Sequence, residues 1–179
     1  MRAWFCVTNP YNWLIVEKER LWGVDYRYKI TMKERVSEGD LLAFYVLANL
    51  RTGLKRLVRE QQRKGLVDPD ELETSRGCFA GIWKVSGSYF ESQRHVGWVD
   101  RDGQATVYPH RRQISLCANP PSPLALKPDT DLFRKLVFIT DKTSSWYSIL
   151  YASMTLITED DLQIFFEHSK TQRRNQKRT

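Results

Sequence analysis

Residues that could carry acid–base or nucleophilic chemistry are few and scattered in this chain. The three histidines are His95, His110 and His168, and no paired-histidine or PCxxC metal motif accompanies them. The sequence also lacks a glycine-rich phosphate loop and a GxSxG segment. The carboxylates of residues 159–161 (EDD) stand where a helix is predicted to begin, and a favourable interaction with the helix dipole explains them. We therefore expect no catalytic site, no cofactor and no metal.

The tryptophans are more informative than the titratable residues. The stretch NPYNWLIVEKERLWGV, residues 9–24, places Trp13 and Trp22 on either side of a charged segment, with Gly23 after the second indole. Most indoles pack in a core, because large aromatic side chains dominate burial. An indole that faces a hole instead offers a flat, polarizable wall to a ligand. Both interpretations stay open for Trp22, whereas we expect Trp13 and Trp83 in the core.

The net charge of +7 is concentrated in two segments. Residues 51–64 (RTGLKRLVREQQRK) and 170–179 (KTQRRNQKRT) contribute +5 each, which leaves −3 for the rest of the chain. Such segments either contact phosphate or are simply solvated. Lys55 and Arg56 are the candidate phosphate-binding residues in the first segment, and the second is interpreted as a disordered tail.

Length and composition indicate the class of protein. A chain of 179 residues with 41% hydrophobic and 12% aromatic residues is expected to form one globular domain. No apolar run approaches the roughly 18 residues of a membrane span, and the first residues lack the pattern of a signal peptide. Cys6, Cys78 and Cys117 lack the spacing of zinc ligands. We expect a cytoplasmic protein with reduced, buried thiols.

Strands are predicted for most of the body. Alternating or apolar runs indicate strands at residues 3–8, 41–47 and 79–85 and from Arg112 onward. Gly39 suits the turn before the second strand, and a hairpin turn is predicted at Asp102-Gly103. Residues 119–128 (NPPSPLALKP) are a connector, because proline excludes a long helix or a central strand.

Helices are predicted at the two ends of the chain and in the basic segment. Asn9 is expected to cap a short helix that begins at Pro10 and ends near Glu19. Thr158 and Asp161 resemble a capping box for a second helix, which is expected to end near His168. Three apolar residues of that helix are predicted to pack inward; they are Leu162, Phe165 and Phe166.

Nine short segments of the chain, in this order, resemble the EVE domain. They are WFCVTN, NW, WGV, EGDLLAFYV, GIWKV, YPHR, LFRKLVFI, SWY and ITEDD. The EVE family belongs to the PUA-like barrels and is similar in fold to the YTH readers of methylated adenine in RNA. The resemblance therefore implies an α+β fold with a PUA-like small β-barrel flanked by short helices.

The resemblance covers nearly the whole chain, with two departures. The segment at about 49–77 is longer and more basic than the usual loop of the family, and the tail after His168 is additional. We expect an EVE-type domain at residues 1–169 with a helical insertion at 49–77, followed by the basic tail at 170–179.

The resemblance also implies a site. In PUA-like readers a modified base is taken out of its strand and held in an aromatic pocket beside the first helix. By position, Trp22 corresponds to a wall of that pocket, and Gly23 allows the backbone to approach the base edge. An indole stacks on a base with roughly 1–3 kcal/mol. The further pocket candidates are Asn12, Val24, Tyr45, Trp98, Tyr108, Pro109 and Trp146.

Several of these residues have a structural alternative that the sequence leaves open. Asn12 either bonds a base edge or faces solvent, and Tyr45 either reaches the rim of the pocket or is buried with a backbone partner. Trp146 either lines the pocket or joins the core. Arg111 and Arg112 are candidate phosphate contacts because a guanidinium fork suits phosphate, although Arg111 could equally pair with a carboxylate.

The function implied is a non-catalytic protein that binds RNA or DNA and reads a modified base, for example a methylated one. One alternative is an RNA-processing nuclease, since a related class of barrels includes nucleases; His110 would then act with a nearby Lys or Arg. Another is an accessory subunit of an RNA-modification complex, with residues 51–64 docking a partner. The apolar spacing of Leu54, Leu57 and Val58 more often packs such a helix on its own domain.

Overall fold

The structure, a computed structural model, describes residues 1–68, 70, 76–119, 124–126, 130–140, 149–150 and 152–176. The strands are β1 (Ala3–Thr8), β2 (Leu21–Val24), β3 (Leu41–Val46), β4 (Cys78–Val85), β5 (Phe90–Glu91), β6 (His110–Ala118), β7 (Leu124–Ala125) and β8 (Met154–Ile157). The α-helices are α1 (Pro10–Glu19), α2 (Thr52–Arg63), α3 (Asp131–Lys135), α4 (Val137–Thr140) and α5 (Glu159–Gln176). A short 3-10 helix (Tyr26–Tyr28) and a π-helix (Thr31–Arg35) follow β2.

The strands form one curled, mixed sheet in the order β2-β6-β4-β3-β1-β8, with β5 paired to β6 and β7 to β4. Only the β1–β3 pair is parallel among the pairs that the structure describes. The predicted α+β, PUA-like fold with flanking short helices is confirmed, and its sheet is a curled half-barrel. The basic helix α2 lies between β3 and β4.

Strands β1 and β3 are buried on both faces. Along β1, Phe5 and Val7 point into one apolar cluster with α3, α4 and α5, while Trp4 and Cys6 point into a second cluster with α1 and β2. Because neighbouring side chains on a strand face opposite ways, each face needs its own cover. The helices supply it on one face, and α1 with the strand β2 supplies it on the other. Trp13 and Trp83 lie in the second cluster, as predicted.

The local signals at the first helix are confirmed. The Asn9 side chain accepts a hydrogen bond from the backbone nitrogen of Asn12 at 2.8 Å, and Pro10 opens α1, which ends at Glu19. Gly39 has a φ of +90° in its turn. The predicted turn at Asp102-Gly103 lies between Val99 and Ala105, which pair as an isolated antiparallel β-bridge.

The last helix begins as predicted but ends later. Thr158 donates through Oγ1 to Asp161 at 2.7 Å, and the Asp161 backbone nitrogen donates back to Thr158 at 3.1 Å. Asp161 also accepts a bond from the backbone of Val137, so this buried carboxylate joins α4 to α5. Helix α5 extends to Gln176 rather than ending near His168, and the backbone of residues 170–176 is helical.

The three cysteines differ in their exposure to solvent. Cys6 and Cys78 are buried as expected, but Cys117 is exposed, because it lies on the outer part of β6. Among the described residues, none of the helices is long and apolar enough to span a bilayer. In the same part of the chain, no group of three His, Cys, Asp or Glu side chains is arranged to hold a metal ion.

Candidate functional site

An open pocket lies at the end of β1, beside α1 and β2. About 520 Å³ of empty space, the open solvent at its mouth included, lies between its lining residues. The lining residues are Val7, Thr8, Asn9, Asn12, Trp22, Gly23, Leu47, Trp98, Arg101, Tyr108, Leu150, Ala152 and Ser153. The pocket thus brings five of the sequence candidates together, namely Asn12, Trp22, Gly23, Trp98 and Tyr108.

Trp22 belongs to the pocket wall and to the core at once. Its ring packs edge-on against Phe44, with centroids 5.0 Å apart and planes at 86°, and only 5% of the residue is exposed. Its buried indole Nε1–H has no hydrogen-bond partner among the described residues. The buried indole Nε1–H of Trp83, which does not line the pocket, likewise has no partner among the described residues, so this feature does not by itself mark a ligand contact.

Gly23 is needed for the packing of Trp98. A Cβ at position 23 would lie 2.6 and 2.7 Å from Cη2 and Cζ3 of Trp98 and 3.0 Å from Cβ of Tyr108. The edge of the second indole therefore rests on the β2 backbone. Trp98 and Tyr108 pack together with centroids 5.5 Å apart, and only 2% of Trp98 is exposed. The pocket has a preformed wall made of Trp98, Tyr108 and the glycine backbone.

Asn12 fixes that wall from the side of α1. Its Nδ2 donates to the carbonyl of Val99 at 2.8 Å, and its Oδ1 accepts from the backbone nitrogen of Val99 at 2.9 Å. The amide therefore pairs with the backbone as a neighbouring strand would, and it is buried rather than solvent-facing. Tyr108 also donates to the Val99 carbonyl, at 3.3 Å. The bonds of Asn12 mark it as a positioning residue for the Trp98 loop.

Asn9 is a polar lining residue that the sequence analysis named only as a helix cap. Its Oδ1 is engaged by the backbone of Asn12, and its Nδ2 donates no hydrogen bond to another described residue. Thr8 and Ser153 also line the pocket, so hydrogen-bonding groups and aromatic rings share its surface. Aromatic and polar groups together can hold a planar ligand and read its edge.

Arg111 is buried beside the pocket instead of facing a phosphate. Its Nε donates to the carbonyl of Tyr108 at 2.8 Å, and its Nη2 donates to the carbonyl of Arg94. The guanidinium lies 4.9 Å from the centroid of the Trp98 ring, a cation–π contact. Burial lowers the pKa of Arg111, and the nearby charge of Arg94 adds to the effect. The expected phosphate and carboxylate partners are replaced by backbone carbonyls.

Arg112 has the same kind of environment on the other side of β6. Its guanidinium donates to the carbonyl of Met32, within the π-helix, and to that of Val36, which directly follows the helix. Only 7% of the residue is exposed. Burial lowers its pKa, while Asp40 and Glu38 oppose the shift. Helix ends leave carbonyls without partners, and the arginine fork satisfies them here. This residue is likewise held away from a phosphate-facing surface.

The remaining sequence candidates fall outside the pocket lining. Tyr45 stacks on Phe5 in the first core cluster, with centroids 5.9 Å apart, and burial raises its pKa to about 12. Val24 is fully buried, and Pro109 is half-buried next to the lining residue Tyr108. Trp146 lies outside the described residues.

Lys55 and Arg56 are exposed on α2. The helix packs on its own domain, because Leu54 and Val58 are buried against Val99, as their spacing predicted.

His110 is part of a compact polar cluster away from the pocket lining. The Tyr89 hydroxyl donates to Glu91 at 2.6 Å and lies 2.8 Å from His110 Nδ1. Since the phenol proton points to the carboxylate, we assign Nδ1–H of the imidazole as the donor to Tyr89. Burial and the hydrogen bond to Glu91 together raise the pKa of Tyr89 to about 12. The ring of His110 is 4% exposed and stacks on Tyr89.

Sequence reasoning missed the lining residues that lie far apart along the chain. Arg101 places a cation at the pocket, and Leu150, Ala152 and Ser153 close the side next to β8. The Ser153 carbonyl accepts a bond from the Val7 nitrogen at 3.1 Å, which joins the two ends of the chain at this point. Among these residues, only Arg101 had a signal in the sequence, because it lies close to the pocket candidate Trp98.

The fold is of the PUA-like class. No protein-family model matches the chain. A UPF0310 protein of Pyrococcus abyssi (strain GE5 / Orsay) is 28% identical over 164 residues, which cover 92% of this chain and 96% of that protein. A UPF0310 protein of Pyrococcus horikoshii is 29% identical over 115 residues, or 64% of this chain and 65% of that protein.

Solved structures of the same fold are more distant in sequence. A hypothetical protein from Leishmania major aligns over 97% of both chains with a TM-score of 0.53 and 13% identity. The human THYN1 protein, solved in complex with 5-methylcytosine containing DNA, aligns over 95% of this chain and 98% of its own, with a TM-score of 0.52 and 8% identity. At these identities the likeness establishes the fold.

Proposed function

We propose that this protein is a non-catalytic, EVE-type nucleic-acid reader that holds one modified base, turned out of its strand, in the pocket described above. The observation that carries the proposal is the pairing of two indole walls, Trp22 and Trp98, with a polar side that includes Asn9. A base is planar, has π-faces and presents donors and acceptors along its edge, so it matches both sides of such a pocket.

The amide of Asn9 offers a donor at the pocket. Bases carry ring nitrogens and carbonyl oxygens along their edges, and either would accept from such a donor. A methyl group on the base adds apolar area worth roughly 0.8 kcal/mol when it is buried, or about a fourfold preference.

Rigidity of the wall also supports the proposal. Asn12, Tyr108 and Arg111 each bond to backbone groups of the loop that carries Trp98. A preformed site binds more tightly because little side-chain entropy is lost on binding. We therefore assign Asn12 and Arg111 to positioning of the aromatic wall. The likeness to THYN1, whose structure contains methylated DNA, adds support at the level of the fold.

The proposal is tested by fluorescence anisotropy with labelled single-stranded 12-nucleotide probes. Matched DNA and RNA probes carry one 5-methylcytosine, one N6-methyladenine or no modification. We expect one modified probe to bind severalfold more tightly than its unmodified counterpart. Trp22→Phe keeps an aromatic ring beside Phe44 but shortens the indole wall, so it should reduce the contact area with the modified base and therefore that preference.

Trp13→Phe is the matched control, because Trp13 is an indole of the same core cluster that does not line the pocket. It should leave the preference unchanged. Equal affinity of the wild-type protein for all probes, or equal loss of preference in both variants, would contradict the proposal. Cleavage of a probe that disappears in His110→Ala would contradict its non-catalytic part.

A further inference from the structure

Helix α2 carries two rows of charged side chains with different properties. Lys55, Arg59 and Arg63 follow each other at intervals of four residues, are exposed, and have no acidic residue among them. In the second row Glu60 accepts a hydrogen bond from Lys64 at 2.6 Å, and Arg56 lies one turn before it. The first row, called the basic row below, rises about 6 Å per step.

The start of α2 is pressed against the loop that builds the pocket wall. A Cβ at Gly53 would overlap the carbonyl oxygen of Asp102, and a Cβ at Gly103 would lie 3.0 Å from Cα of Leu54. Arg51 also forms an ion pair with Asp102 at 3.3 Å. Glycine inside a helix costs about 1 kcal/mol relative to alanine. The close approach of α2 to the Asp102 backbone explains why glycine occupies position 53.

The loop held by α2 is the one that lines the pocket. Trp98 and Arg101 line the pocket, Val99 is bonded to Asn12, and Asp102 contacts the helix. The apolar face of α2 packs on Val99 through Leu54 and Val58. The basic row therefore begins one turn after a helix start that is fixed to the pocket wall.

We propose that the basic row binds the phosphodiester backbone of the same strand whose base enters the pocket. This inference rests on the proposed function. Lysine and arginine offer only donors, and a row without acids presents uniform positive charge to a chain of phosphates. Residues 51–64 carry a net charge of +5, whereas the chain outside the two basic segments carries −3. A positive segment on a negative body suits a polyanion such as a phosphodiester backbone.

The test compares two triple variants with the same change of charge. Lys55→Gln/Arg59→Gln/Arg63→Gln removes the basic row, and Lys18→Gln/Lys33→Gln/Lys84→Gln removes three exposed charges on other elements. Binding of the modified and unmodified DNA and RNA probes is measured between 50 and about 300 mM salt. Each lost phosphate contact lowers the slope of log affinity against log salt by about 0.7 on single strands.

We expect the row variant to lower that slope by about 2 for modified and unmodified probes alike, with their affinity ratio unchanged, and the control variant to lower it much less. An equal change in both triple variants would overturn the inference, since it would show only the effect of net charge. A lost affinity ratio with an unchanged slope would also overturn it. The DNA and RNA arms show which backbone is bound.

Failure of the proposed function gives a different result. A wild-type protein that binds modified and unmodified probes equally contradicts base reading, while the slope difference between the triple variants still decides whether the row binds phosphate. Gly53→Ala keeps every charge but pushes α2 away from Asp102, so it should weaken both probes while retaining most of the slope. Unchanged affinity in Gly53→Ala would contradict the dependence on the helix position.

Discussion

Two arginine-bearing regions of this protein differ in almost everything except residue type. On β6, Arg111 and Arg112 are buried and donate to backbone carbonyls of loops and of the π-helix. On α2, Arg59 and Arg63 are exposed on the outer face of the helix. The first pair organises the pocket wall and the core, whereas the second is available to a partner. Clustering of basic residues in a sequence therefore does not by itself indicate a phosphate site.

The strongest test of this contrast is a lysine in place of the buried arginine. Arg111→Lys keeps the charge but lacks the fork that reaches both Tyr108 and Arg94, so we expect a loss of about 2–4 kcal/mol in the free energy of unfolding. Urea unfolding followed by tryptophan fluorescence measures it. Arg63→Lys is the control and should change stability by less than about 0.5 kcal/mol. Similar values for the two variants would remove the contrast.

A second test asks whether the buried region extends to Trp98, on which Arg111 stacks. Gly23→Ala should cost about 1–3 kcal/mol, because its methyl group meets the indole edge. In a Trp98→Ala background the same substitution should cost less, with a coupling of about 1 kcal/mol. The double-mutant cycle is measured by urea unfolding. Strict additivity would show that the two residues do not hold each other in place.

A third test uses pH, since the two regions have titrating neighbours with opposite shifts. Arg112 lies over the ring of Tyr89, whose pKa is raised to about 12 by burial and by Glu91. The neutral phenol thus adds stability below pH 10, and this is lost as pH rises toward 12. On α2, the hydrogen bond from Lys64 lowers the pKa of Glu60, so its contribution is present above its usual pKa and is lost as pH falls.

Urea unfolding over a pH series should therefore separate two variants. Tyr89→Phe should remove the stability change between about pH 10 and 12, and it should also alter the acid range because the Tyr89 hydroxyl lowers the pKa of Glu91. Glu60→Gln should alter the acid range alone. A changed alkaline slope in Glu60→Gln, or an unchanged alkaline slope in Tyr89→Phe, would contradict the assignment of these groups to the two regions.

The smallest effect is expected from the exposed arginines themselves. Arg59→Gln and Arg63→Gln should each change the free energy of unfolding by less than about 0.5 kcal/mol, because neither side chain is buried. Urea unfolding in low salt is the measurement. A loss above about 1 kcal/mol would mean that the row stabilises the fold, and the contrast with β6 would then be one of degree.

Features with local causes were predictable from the sequence. Asn9 and Pro10 fix the start of α1, and Thr158 with Asp161 fixes the start of α5, because capping needs only residues within one turn. The apolar runs at residues 3–8 and 41–47 predicted β1 and β3, because a strand buried on both faces reads as a continuous apolar run. The end of α5 at Gln176 was not predicted, since the polar residues after His168 carry no apolar pattern.

The site was predictable only in part, because its contacts join distant residues. Asn12 and Val99 are 87 residues apart in sequence, and Arg112 and Met32 are 80 apart. Nothing near Arg111 in the sequence shows that carbonyls of another loop will surround it. Trp22 and Trp98 could be selected from their positions beside glycine and in a polar loop, although which residues each indole contacts depends on the sheet.

The pairing of β1 with β8 bears on how the protein is made. Residues 3–6 pair with residues 154–157, and Val7 bonds to Ser153, so the last part of the pocket comes from the far end of the chain. During synthesis β1 can therefore pair with β8 only after the residues up to 157 have been made. Helix α2 and its basic row are translated long before β8. On the proposed function, a nascent chain would contain the proposed phosphate-binding row before the residues that complete the proposed base pocket.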